Sequence, residues 1–569
     1  FNLKRCEYCA MTKDYDILVF RNKPPDLSLL NFDGPIVIDT ETTGLNVRGR
    51  GEDYAVWLGL LPTAEPNKIL VIHRSQFTPE FMEWLAKQGL IGHNLRFDLH
   101  ALDLVPEVDY YDTMIAKYNK NTSGRKSLDH LAAVNGWPKI KTPDALKCGD
   151  ISSIPEDELA RYLADDCWIT YKLWHQEHHS SLNRTDCATD RAVYAMERRG
   201  VRLLNTNLLR VKEQVEDEII HKRRTLCGMG FDGEVNSPKQ VSEWLMREGR
   251  DLPKTEKGNV STAKLVLQRM ADDGDVLCET VLSLRKVQKL KSAFLEPLPS
   301  HVVRDGILYP QTNTTRTKTG RFSCDTPNLQ QIPKHGEFGK AMRSCFTSPF
   351  NDGVVACDFS QIELRVAAAL AGEDTLLHAF AMGRCPHVEV AAKMFGKGNM
   401  DAVTEEERFK AKAVNFGILN GMGAKRLANE LKSSYDTAKK FLYDYRRNLP
   451  RLTEWMEGIW TETESTGVAK TIAGRPRFFG GHEDTRSAVS VVVQGTAAEL
   501  MRHTLCRVEE WGFKPFLTVH DEILCGGSSA EPHELQEFME NAANGAWADK
   551  LGEVSFKATA AKGETWGDV

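Results

Sequence analysis

Two acids far apart in the chain have the setting that metal-assisted chemistry needs. Asp358 ends the apolar, β-branched run Val354–Cys357, which has the length and residue types of a buried strand. The residues that follow, Gln361–Leu370, take up helical spacing and offer Ile362, Leu364, Val366 and Leu370 for packing. Asp521 lies in Phe516–Cys525, where two apolar runs flank His520, Asp521 and Glu522 in the pattern of a tight hairpin with acids at its tip. If the hairpin pairs beside the first strand, Asp358 and Asp521 face one another. Two rigidly held carboxylates can hold hard divalent ions about 3.5–4 Å apart, a clamp that activates an attacking oxygen and stabilises a leaving one in phosphoryl transfer.

Between these acids, Arg408, Lys412, Phe416 and Asn420 recur every four residues and share one slowly drifting helical face. Two cations followed by an aromatic suit a nucleoside triphosphate, the charges taking phosphates and the ring packing on sugar or base. Alone, such a run reads as a solvated basic face. A second acidic set lies upstream. Asp39 and Glu41 are two apart at the end of a strand-like run, so they project from one face. Asp98 falls on a helix whose apolar side includes Leu95, Leu99 and Leu102. Tyr162 and Asp166 stand four apart on a further helix, a spacing that favours Asp166 over its neighbour Asp165.

The elements that must position these residues need a large chain, and 569 residues with 41% hydrophobic and 27% charged content supply several cores. A net charge of -6 does not itself suggest a nucleic-acid binder. Positive charge is nevertheless concentrated at Arg285, Lys286, Lys289 and Lys291, and again at Arg316, Lys318 and Arg321. No apolar run approaches membrane-spanning length, no secretory leader is visible, and 13 scattered cysteines suggest reduced thiols, so an intracellular protein away from membranes is expected. Cys6 and Cys9 form a lone Cys-x-x-Cys without a second pair at zinc spacing.

Asp-Phe-Ser-Gln-Ile-Glu-Leu-Arg from Asp358, the Arg408–Asn420 stretch and Val-His-Asp-Glu from Val519 resemble motifs A, B and C of family A DNA polymerases, the DNA polymerase I class, in the family's order over more than 160 residues. Asp39, Glu41, Asp98, Tyr162 and Asp166 resemble the DEDDy set of a 3′-5′ exonuclease. The resemblance implies an α/β multidomain fold, an RNase H-like exonuclease domain followed by a right-hand polymerase domain. Its expected boundaries are residues 1–190 exonuclease, 191–310 thumb, 311–370 palm with motif A, 371–484 fingers and 485–569 palm with motif C.

It also implies roles. In the polymerase, Asp358, Phe359 and Asp521 would form the metal set, with Glu522 beside it. Arg408, Lys412, Phe416, Asn420, Gln361 and His387 would contact the nucleotide, Lys412 could protonate the departing pyrophosphate, and Glu363 would disfavour a ribose 2′-hydroxyl. Lys289, Arg321, Asn328, Gln330, Arg486, Gln494 and His520 would contact DNA, with Arg321, Arg486 and Gln494 checking minor-groove acceptors. In the exonuclease, Asp39, Glu41, Asp98 and Asp166 would bind metal and Tyr162 would orient the attacking water, while Asp112 reads as structural. A pair of divalent ions in each site is expected, Mg2+ with Mn2+ as the alternative. Expected partners are primer-template DNA, deoxynucleotides and replication accessory proteins, with the chain a monomer in the cytoplasm of a bacterium or phage-infected cell, or in an organelle. Asn420 stands where the family usually has Tyr, Ser490 where it has Asn, and Cys385-Pro386-His387 where it has Asp-Ile-His.

Overall fold

The computed structural model describes residues 15–23, 25–26, 33–49, 51–147, 150–177, 180–255, 257–480, 485–552 and 554–569; Cys6 and Cys9 lie outside them. The chain gathers into two compact units, one comprising residues 1–200, 310–325 and 355–562, the other residues 201–309, 326–354 and 563–569. None of the ten cysteines among the described residues is joined in a disulfide. Among these residues no helix is long and apolar enough to cross a membrane.

The first unit contains a mixed six-stranded sheet in the order Asp16–Phe20, Lys68–His73, Ala55–Pro62, Ile36–Thr42, Leu90–Gly92 and Tyr111–Asp112. Ile36, Val37 and Ile38 are fully buried and anchor the strand whose second half carries Asp39 and Glu41. Asp39 pairs with Gly59. A Cβ at Gly59 would lie 2.6 Å from Cys167 Sγ, so glycine lets the helix Glu156–Gln176 lie against the sheet. Leu163, Ala164 and Cys167 pack there and bring Tyr162 and Asp166 toward the acidic strand. The helix opens with Glu156, Asp157 and Glu158, which suit its positive end.

The same unit holds a four-stranded sheet in the order Pro515–Val519, Glu522–Gly526, Val354–Phe359 and Ala558–Gly563. The hairpin pairs beside the motif A strand, and the Phe359 amide donates to the Asp521 carbonyl at 3.1 Å. Val519 opposes Glu522, leaving His520 and Asp521 as the turn, with His520 in the left-handed region at φ 57°. The helix Ile362–Ala371 and the 24-residue helix Ala488–Trp511 contribute Ile362, Val366, Val489, Val493 and Leu500 to the core beneath this sheet. The helix Glu405–Leu419 starts with a capping box between Thr404 and Glu407.

The helix Ser181–Arg199 runs unbroken through the boundary expected after residue 190, and all of it belongs to the first unit. The reason is burial: Ala192, Val193 and Met196 join the large core, so the chain leaves this unit only after the helix ends at Gly200.

The second unit is built on the helices Asn205–Gly228, Pro238–Arg247, Lys264–Asp272 and Val276–Leu290, around Leu226, Trp244, Leu267 and Leu284. Part of its expected basic stripe is spent internally. Arg285 donates to the Val235 carbonyl at 2.6 Å and the Thr262 carbonyl at 2.8 Å, and Lys291 pairs with Glu216 at 2.9 Å. Lys286 and Lys289 are exposed.

Candidate functional site

The first unit carries two groups of carboxylates. In the group on the six-stranded sheet, Asp39, Glu41, Asp98 and Asp166 repel one another across a buried space. Burial, then the charges of Asp166 and Asp98, push Glu41 up to about 8. Burial raises Asp98 to about 7 against hydrogen bonds from the Thr40 hydroxyl at 2.6 Å and the Thr40 amide at 3.1 Å. Burial followed by Asp98 raises Asp39 well above the usual carboxylate range, and burial also raises Asp166. Asp165 is turned the other way and accepts from the Ile140 amide at 2.7 Å. Asp112 caps the helix Thr113–Lys120 and accepts from the Leu95 amide at 2.8 Å, a structural role as expected.

Lys139 is a member of this group that sequence reasoning missed. Its Nζ lies 2.7 Å from Asp166 and 2.9 Å from Asp129, over the Tyr162 ring at 4.5 Å. The Tyr162 hydroxyl shares a 3.2 Å hydrogen bond with Thr142. A single lysine in a Pro-containing loop gives no periodic signal, so only the fold reveals its place. Among the described residues no three His, Cys, Asp or Glu side chains are arranged to hold an ion as they stand. Asp98 is turned to Thr40 and Asp166 to Lys139. Four carboxylates that disfavour their own ionisation, with Glu41, Asp98 and Asp166 buried and Asp39 half-buried, are nonetheless a donor set suited to hard divalent cations.

These shifts fix the sign of a pH effect. Carboxyls whose folded pKa exceeds the unfolded value favour folding while protonated and lose that contribution as pH rises, here up to about 8 for Glu41. Glu41→Gln should therefore raise the thermal midpoint of EDTA-treated protein more at about pH 8 than at about pH 5, by the equivalent of a few kcal/mol at most. Equal shifts at both pH values would contradict the repulsion.

The second group sits at the hairpin. Burial raises the Asp521 carboxyl, opposed by Arg321 and reinforced by Asp358. Glu522 is buried, whereas His520 is exposed at the turn. Glu363, on the first turn of the helix Ile362–Ala371, forms an ion pair with Arg321. Arg321 was expected at the minor groove; here its guanidinium is engaged by Glu363. Gln361 precedes that helix in the left-handed region at φ 55°, and its Oε1 is buried without a hydrogen-bond partner.

Arg408, Lys412 and Phe416 all lie on the helix Glu405–Leu419, and Asn420 is its C-terminal cap. Lys412 is exposed, and Arg408 pairs with Glu405 at 3.2 Å. His387 is buried rather than open: its Nδ1 lies 2.9 Å from the Asn415 amide and its ring packs 5.8 Å from that of Phe416. Burial pushes it down to about 4, so it is neutral near neutral pH. Asn420, Ser490 and Gln494 are brought together, a contact invisible in the sequence. Asn328, Gln330 and Lys289 belong to the second unit, where Asn328 precedes the short turn Leu329–Gln331.

An acidic pair at a sheet and its hairpin turn, in one unit with a cation-bearing helix and preceded in the chain by a separate acidic sheet site, defines an α/β class with two sites. A family model for DNA polymerase family A matches residues 205–568, and one for 3′-5′ exonuclease matches residues 27–176. The chain belongs to DNA polymerase family A and carries a 3′-5′ exonuclease domain. It is 37% identical to the thermostable DNA polymerase I of Thermus aquaticus over 58% of this chain and 42% of that protein. It is 28% identical to DNA polymerase I of Aquifex aeolicus over 93% of this chain and 95% of that protein. The chain spans about half the length of the Thermus relatives it matches. A solved structure described as the POL domain of Pol1 from M. smegmatis in complex with DNA primer-template and dNTP shares the fold, with a TM-score of 0.81 at 23% identity over 97% of this chain and 99% of that one.

Proposed function

We propose that this chain is a template-directed DNA polymerase that extends a primer 3′ end and proofreads it with a DEDDy 3′-5′ exonuclease. The observation that carries the reading is the pairing of the Asp358 strand with the hairpin whose turn holds Asp521, in the same unit as the cation-bearing helix Glu405–Leu419. The proposed domains are residues 1–190 exonuclease, 191–310 thumb, 311–370 and 485–569 palm and 371–484 fingers, with the helix Ser181–Arg199 spanning the first boundary.

Asp358, Phe359 and Asp521 would hold the polymerase ions, and Asp39, Glu41, Asp98 and Asp166 those of the exonuclease. When bound, Mg2+ or Mn2+, two ions in each site, would supply Lewis acidity to the attacking and leaving oxygens. Arg408 and Lys412, one helical turn apart, receive the triphosphate, and Lys412 gives a proton to the departing pyrophosphate. Phe416, braced by His387, packs on the incoming nucleotide. Glu363 stands under the sugar, where its carboxylate disfavours a 2′-hydroxyl, and Gln361 offers its unpartnered oxygen to the same nucleotide. Arg321 leaves Glu363 for the minor groove once DNA is present, joined by Arg486 and Gln494. His520 lies at the primer end, and Asn328, Gln330 and Lys289 hold backbone. In the exonuclease, Tyr162 orients the attacking water, and Lys139 holds Asp166 in place.

The substrates are primer-template DNA and deoxynucleotides, the working form is a monomer in the cytoplasm, and replication accessory proteins are the proposed partners. The test is extension of a labelled primer with Mg2+, with and without nucleotides, alongside Asp39→Ala/Glu41→Ala. Extension with nucleotides, and shortening without them that the variant abolishes, is the expected result. Shortening alone would leave an exonuclease and remove the polymerase reading.

A further inference from the structure

The end of the nucleotide helix is bonded to the element that would read the primer-terminal pair. Asn420 caps the helix Glu405–Leu419, and its Nδ2 donates to the Phe416 carbonyl at 2.8 Å. Its Oδ1 accepts from Gln494 Nε2 at 2.8 Å and from the Ser490 hydroxyl at 3.4 Å. Gln494 and Ser490 are one turn apart on the helix Ala488–Trp511. The next residue, Gly421, sits at φ 70°, where an added Cβ would lie 2.9 Å from the Arg486 carbonyl. The glycine-dependent backbone at Gly421 therefore meets that of Arg486 where one amide joins the two helices.

A primary amide is the side chain this junction requires, since it donates to Phe416 and accepts from Gln494 at once. A tyrosine ring has no such pair of groups on so short a stem. The departures from the family pattern at positions 420 and 490 thus occupy a single junction.

We propose that Asn420 is a specificity-determining residue that acts through Gln494, fixing the Gln494 amide for the minor groove and transmitting its position to the nucleotide helix. This rests on the polymerase reading above. With a correct primer-terminal pair, Gln494 meets a minor-groove acceptor without releasing Asn420. A mispaired end displaces Gln494, the bond to Asn420 breaks, and the cap that orders Phe416 loosens, which slows the next addition. Discrimination at the primer end is then a property of the pair of residues.

The experiment is a cycle of Asn420→Leu, Gln494→Leu and the double variant in the full chain, reading kcat/KM for the next correct nucleotide on matched and mispaired primers. Each single change should shrink the matched-to-mispaired ratio by about tenfold, and the double variant should match the worse single, a coupling within the range for residues in contact. Because the bond forms without DNA, thermal midpoints of the DNA-free proteins should be non-additive as well. Extension with ratios that fall independently and multiply would overturn this inference and leave the polymerase reading standing. A chain that extends neither primer would overturn both.

Discussion

Asp358→Asn and Asp521→Asn are each expected to lower primer extension by at least about a thousandfold, equivalent to about 4 kcal/mol of barrier, while 3′-5′ shortening persists. The amide keeps the size and shape of each side chain, so the strand pairing around the Phe359 amide and the Asp521 carbonyl is retained. What it removes is charge. Asp521 is already destabilised by burial and by Asp358, and Arg321, then His520, offset this. Losing one carboxylate relieves that repulsion, so the variants should unfold no earlier than the unsubstituted chain. Loss of activity at undiminished stability separates a metal ligand from a structural acid, and single-turnover extension read beside thermal unfolding measures both. Extension within tenfold of the unsubstituted chain would remove Asp358 and Asp521 from the proposed metal set.

The elements that carry both sites are local in character, and for that reason they were legible. The apolar run before Asp358, the two runs flanking His520 and the four-residue spacing of Arg408, Lys412 and Phe416 each specify a strand, a hairpin and a helix without reference to the rest of the chain. The pairing of the hairpin with the motif A strand is non-local, and it followed from resemblance and not from periodicity. Lys139 was illegible because its importance lies in reaching Asp166 across 27 positions of sequence from a loop with no pattern. The two basic clusters were legible only in part, for a related reason. A sequence counts cations but not their partners, and Arg285, Lys291 and Arg321 spend charge or hydrogen bonds on Val235, Glu216 and Glu363. Asn420 was visible as a departure, whereas its bond to Gln494 required two helices distant in sequence to be placed side by side.

Arg475→Met should destabilise the first unit by about 3–5 kcal/mol, the cost of leaving buried charge uncompensated. Arg475 is 1% exposed and donates to Glu499 at 2.8 Å and 2.9 Å and to Asp186 at 2.7 Å and 3.1 Å, with Asn119 as a further acceptor. Arg502 adds a 3.1 Å bond to Asp186, and binds the carbonyls of Gly320, at 2.8 Å, and Thr314. Against burial, these two arginines hold Asp186 below the usual carboxylate range, so the network contributes stability at neutral pH that is lost as pH falls toward the carboxylate range. Methionine fills much of the arginine volume but leaves Asp186 with Arg502 and takes from Glu499 the guanidinium that compensates its charge. The lowering of the thermal midpoint should accordingly be greater at about pH 7 than at about pH 4, where protonation relieves the uncompensated charge. A second readout follows from geometry: Asp186 lies on the helix Ser181–Arg199, which follows the residues matched by the exonuclease model, Glu499 and Arg502 on the helix that carries Gln494, and Gly320 next to Arg321. Loosening the network should therefore disturb shortening and extension together, whereas a change confined to one activity would place the brace within a single site.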